Sequence, residues 1–193
     1  MWITKQIVLG LCQALLMVNS GCRSGPPPSP EAGVTLQPGR YLEGFYFTPG
    51  FVPEEAAFAM EPFALEEVSG LDRHAFQEAL QTGMARAFAA NGLKLKPGPG
   101  ACRVSGTVRR VAVQGAVLRA FLGKMSLHLE ISGVITREGQ TLFAFSDRLK
   151  VTSPLNPGPA APKERELLAQ QALRAFFHHL LTEMLSYRTS EPG

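Results

Sequence analysis

Between Cys102 and Val151 the side chains alternate in polarity with a period of two residues, and nothing else in the chain restricts its fold so strongly. Cys102, Val104, Gly106 and Val108 take one parity against Arg103, Ser105, Thr107 and Arg109, the pattern of a strand with one face buried. At Arg109-Arg110 the apolar parity slips by one, to Val111 and Val113, which predicts a β-bulge or a strand end there. Met125, Leu127, Leu129 and Ile131, set inward against Lys124, Ser126, His128 and Glu130, define a second strand. Arg137-Glu138-Gly139-Gln140 turns it back into a third, through Phe143, Phe145, Leu149 and Val151, and the pair reads as an antiparallel hairpin. Asp147 falls on the apolar side of this third strand. An acid without a partner does no paired acid–base work, so the expectation is a sheet edge or water-facing end.

Helical periodicity flanks the strands. Phe76, Leu80, Met84 and Phe88 recur every four residues, Asp72 is placed to cap the amino end, and Asn91-Gly92 supplies a left-handed stop. Gly83 lies inside this helix at a cost of about 1 kcal/mol relative to alanine, and close packing on a sheet is the expected reason. A second helix is expected over residues 163–187, opened by Pro162, with one ridge of Leu168, Ala172, Phe176, Leu180 and Met184 and another of Leu173, Phe177, Leu181 and Leu185. That stripe is wider than one sheet contact needs, so the aromatic amino-terminal segment or a partner covers the surplus. Pro49, Pro53 and Pro62 interrupt residues 41–71, where only Ala57 to Phe63 reads as a strand, and Gly44 to Phe47 is expected to pack across the domain. The fold class is therefore α+β: a single two-layer domain over residues 41–187, with a mostly antiparallel sheet of about four strands, two helices on one face and βαβββα order. Residues 188–193 read as a flexible tail.

The amino terminus follows different rules. Lys5 and the terminal amine precede an apolar run from Ile7 to Val18, broken only by Gln13, and Asn19-Ser20-Gly21-Cys22 closes it. Twelve residues are too few for a membrane span, which takes roughly 20, so residues 1–21 read as a secretory signal. The segment resembles the signal peptides of bacterial lipoproteins, which implies diacylglyceryl and acyl (palmitate-type) modification of Cys22 as the new amino terminus. Asn19 stands where those signals usually carry an aliphatic residue, and Val18 and Ser20 also fit ordinary cleavage before Gly21, which would give a soluble product. Arg23 to Arg40 is rich in Pro, Gly and Ser; at about 3 Å per residue this tether reaches some 50 Å.

Composition excludes more than it assigns. The 19 basic and 16 acidic side chains are interspersed, which argues against a nucleic-acid partner. Cys12 leaves with the signal and Cys22 is taken by lipid, so Cys102 remains alone as a small buried hydrophobe, with no internal disulfide. His178 and His179 are adjacent and diverge by about 100° on a helix, so they cannot chelate one ion from the same face. They read as solvated or packing histidines. The paired acids Glu54-Glu55 and Glu66-Glu67 read as loop surface. No nucleophile elbow, phosphate loop or C-x-x-C pair occurs. The expectation is a non-enzyme with no catalytic residues, metal or cofactor.

Gln114 to Lys124 (QGAVLRAFLGK), with Gly106 upstream and Gly133 through Leu142 downstream, resembles a group of bacterial envelope lipoproteins whose carboxy-terminal domain has no assigned function. The order of elements is also similar to that of the lipopolysaccharide-assembly lipoprotein. The resemblance implies a Gram-negative accessory lipoprotein, anchored in the outer membrane facing the periplasm because Arg23 is not Asp, with an envelope protein partner in transport, secretion or assembly. Arg109, Arg110, Arg119 and Lys124 are the candidate contacts, either for an acidic protein face or, in an alternative reading, for anionic lipid or glycan bound by a periplasmic module. A solvated strand end is the plain alternative for these four, and an uncharacterised enzyme is the third reading of the chain.

Overall fold

A computed structural model describes residues 33–115, 125–153 and 162–187. In chain order these form strand β1 (Gly44–Phe47), a 3-10 turn (Pro53–Glu55), strands β2 (Ala57–Met60) and β3 (Ala64–Ser69), and helix α1 (Arg73–Ala90). Strands β4 (Lys94–Leu95), β5 (Cys102–Gln114), β6 (Ser126–Arg137) and β7 (Gln140–Thr152) follow, and helix α2 (Pro162–Ser186) closes the series. The strands make one seven-stranded sheet in the order β1-β7-β6-β5-β2-β4, with β3 also paired to β5.

The α+β class holds, while the expected four strands and βαβββα order understate the sheet. The three long antiparallel strands are where the alternation places them, and the parity slip is a bulge: the register jumps from Val108 opposite Ile131 to Arg110 opposite Glu130, leaving Arg109 as the extra residue. Glu138 and Gly139 turn β6 into β7 with φ of 52° and 81°, both positive as in a type I′ two-residue connection. The additional strands are short. Pro62 has no N–H for the ladder, so the strand expected from Ala57 to Phe63 stops at Met60, and β3 begins beyond it at Ala64. Both run parallel to β5, a pairing that needs a crossover, which α1 provides. Glu66 and Glu67 consequently lie in β3 and not in a loop.

Both helices cover the same sheet face. Phe88 of α1 meets Phe58 of β2 edge-on at 5.2 Å, and Phe176 of α2 meets Phe145 of β7 at 5.8 Å. Phe58, Cys102, Val104, Leu129, Ile131 and Phe143 lie in one continuous buried core between the layers. Cys102 is buried as expected, and its thiol is pushed up by desolvation. Gly83 faces the other helix and not the sheet: a Cβ there would lie 2.5 Å from the Phe177 ring. The wide stripe of α2 is thus shared between the sheet, α1 and the amino-terminal aromatics, with Tyr187 5.2 Å from Phe45 and 5.0 Å from Phe47. Among the described residues no helix is long and apolar enough to cross a membrane.

Candidate functional site

The polar groups that depart most from a plain core converge where α2, β7 and the residues before β1 meet. Asp147 lies on the core side of β7 and is only 3% exposed. Its Oδ2 is 2.9 Å from Nδ1 of His179, its Oδ1 accepts from the Arg148 N–H at 3.0 Å, and the backbone N–H of Glu43 also donates to it. The expectation of a water-facing acid is therefore corrected, and His179 is a hydrogen-bonded partner rather than a solvated or merely packing one. Burial pushes the Asp147 carboxyl up, and the His179 and backbone hydrogen bonds only partly offset it.

One helical turn beyond His179, Glu183 is also buried. Its Oε2 accepts from the N–H of Tyr41 at 2.6 Å and of Leu42 at 3.2 Å. Two buried carboxylates, one from α2 and one from β7, thus hold the N–H groups of Tyr41, Leu42 and Glu43 in succession. Gly39 permits the approach, because a Cβ there would stand 2.8 Å from the Glu183 carboxylate. Just beyond, Gln37 and Phe45 exchange both backbone hydrogen bonds at 2.8 Å, so residues 37–47 form a strap fastened along its length. The spacing did carry a signal. His179 and Glu183 stand three and seven residues after Phe176, on the inward side of the helix, and Asp147 keeps the inward parity of β7.

Chemically the Asp147–His179 pair has the form of an imidazole oriented by a carboxylate. The hydroxyl next to Asp147 in sequence is turned away from it: Ser146 points to the opposite sheet face by strand alternation, where its Oγ lies 3.0 Å from the Cβ position of Gly44 and has no hydrogen-bond partner among the described residues. Among the described residues no three His, Cys, Asp or Glu side chains are grouped to hold a metal ion.

The sequence-predicted contacts fall elsewhere. Arg109 occupies the bulge. Arg110 lies four residues before the end of β5, on the outer sheet face, in a row of alternating charge. Its Nε is 3.4 Å from Glu67, Glu130 stands opposite it in register, and Arg148 reaches Glu130 at 3.6 Å and Glu43 at 3.3 Å. These side chains are between 29% and 56% exposed, so each pair is worth about 0–1 kcal/mol. Its consequence is that Arg110 is charge-matched. Beside the row, burial and then Lys150 and Arg110 hold the His128 imidazole below its ordinary value, against the pull of Glu130. Arg119, Lys124 and Cys22 lie outside the described residues.

No family model and no curated protein matches the chain. Solved structures similar to it include a minor lipoprotein from Acinetobacter baumannii, at 14% identity over 65% of this chain and 91% of that one, with a TM-score of 0.44. Rare lipoprotein B from Shewanella oneidensis is similar at 13% identity over 65% of this chain and 96% of that one, TM-score 0.39. The PelC dodecamer from Paraburkholderia phytofirmans is similar at 12% identity over 70% and 93%, TM-score 0.41. At these scores the likeness concerns the arrangement of sheet and helices, and function rests on the chain's own residues.

Proposed function

We propose that this chain is a non-enzymatic accessory lipoprotein of a Gram-negative envelope. It is lipidated at Cys22, held at the outer membrane facing the periplasm, and contributes a protein-interaction surface to a transport, secretion or assembly complex. The observation that carries the reading is the fastening of the strap. The chain that follows the tether is gripped at Tyr41, Leu42 and Glu43 by two buried carboxylates. The buried acids therefore hold the tether's end to the domain. Resistance to pull at that junction is what a domain working at the end of an anchored tether requires.

The test is crosslinking in intact cells followed by purification from the membrane fraction. Expected is a protein partner in fixed ratio to the chain, retained after solubilisation and lost with Cys22→Ala. Purification of the unmodified chain alone from the soluble fraction would contradict the reading.

A further inference from the structure

Helices α1 and α2 run in the same direction and separate toward their amino-terminal ends. They touch where Gly83 faces Phe177, and about two turns earlier they leave a cleft of about 500 Å³. Leu71, Ala75, Phe76 and Ala79 form one wall and Ala169 part of the other. Alanine at three of these positions leaves open the space that larger side chains would fill in helix packing.

Arg165 is the one cation among the described residues of the lining, and its Nε is buried with no hydrogen-bond partner among the described residues. Two acids also border the cleft, and neither meets that need. Asp72 turns its carboxylate onto the Ala75 N–H at 2.7 Å, and Glu166 is exposed on the rim. A buried guanidinium nitrogen without an acceptor is unfavourable, and an anionic oxygen is its strongest complement. The volume lies within the roughly 300–1,000 Å³ range of small-molecule sites, and the walls are mostly apolar.

We infer that this cleft binds a single-chain anionic amphiphile of the long-chain carboxylate type, its hydrocarbon between α1 and α2 and its head group on Arg165. The site goes beyond the tethering role, since it lies at the far end of α2 from Glu183 and needs no anchor at Cys22.

Photocrosslinking of the purified full chain with a diazirine-bearing palmitate, followed by peptide mapping, tests it. Crosslinks are expected within residues 71–79 and 165–170. The yield should fall about tenfold or more for the matching diazirine alcohol and for Arg165→Ala, the scale of one lost charge-assisted hydrogen bond. Ala79→Phe, which fills the cleft, should abolish labelling there. Far-UV circular dichroism checks each variant for folding, and the acid-against-alcohol comparison needs no variant. Equal labelling by acid and alcohol, or crosslinks scattered elsewhere, would overturn the inference. Labelling that emerges only after Phe121→Ala with Leu122→Ala would overturn it too, by showing that the chain's own apolar residues occupy the cleft.

Discussion

Replacing Glu183 separates the two contributions that hold the strap. Glu183→Ala removes the acceptor of the Tyr41 and Leu42 N–H groups, which now stand 2.6 Å and 3.2 Å from Oε2. A buried donor left unsatisfied costs roughly 1–3 kcal/mol, so the pair should cost about 2–5 kcal/mol. For a domain of about 150 residues that lowers Tm by roughly 5–15 °C. Glu183→Gln retains a carbonyl acceptor and loses only the charge, and should cost about 1 kcal/mol. Urea unfolding measures both values, and amide hydrogen exchange locates them. In Glu183→Ala the Tyr41 and Leu42 amides should lose protection while the Glu43 amide, held by Asp147, keeps more of its own. If both variants unfold within about 0.5 kcal/mol of the unmodified chain, the range of an ordinary surface substitution, and exchange at Tyr41 and Leu42 is unchanged, the strap is not held as described.

Three further outcomes follow from other parts of the fold. Because burial raises the Asp147 carboxyl in the folded state, the folded chain binds that proton more readily than the unfolded one; stability should therefore rise as pH falls through the folded value toward the ordinary carboxylate value of about 4. Asp147→Asn should lack this rise, so the stability difference between the unmodified chain and the variant, followed by urea titration from neutral to mildly acidic pH, should shift toward the unmodified chain; a pH-independent difference would count against the assignment. Gly83→Ala improves helix propensity by about 1 kcal/mol, yet sets a methyl 2.5 Å from the Phe177 ring, so net destabilisation of about 1–2 kcal/mol is expected, relieved by Phe177→Leu in the double variant. Cys102, fully buried with its thiol raised, should react with an alkylating reagent only at the rate of unfolding, and rapid labelling of the native chain would show the core to be open there.

How far the sequence discloses this molecule depends on whether the information is local. The slip at Arg109 is legible because broken parity means either a bulge or a strand end, and β5 runs on past it as a bulge; the turn before β7 is legible because Gly139 suits its positive φ. Strand β3 is not. Its sequence, Ala64 to Ser69, carries two adjacent acids and no alternation, and it is a strand because β5 offers a parallel edge. Strand β4 has two residues, too few to show any period. The same division applies to the candidate site. Asp147 on an apolar parity reads alone as an anomaly, and its partner His179 lies 32 residues away on another element. Glu183 and Tyr41 are separated by 142 residues, and backbone N–H donors leave no trace in a sequence. What the alternation did establish was the inward parity of Asp147 on β7.

The proposed role requires the chain to be anchored at the end of its tether, and the most direct test is the intact mass of the protein purified from the membrane fraction of a native-like host, with and without Cys22→Ala. Expected is a mass of residues 22–193 plus a diacylglyceryl and an acyl group, lost in the variant. An unmodified soluble product beginning near Gly21 would contradict it.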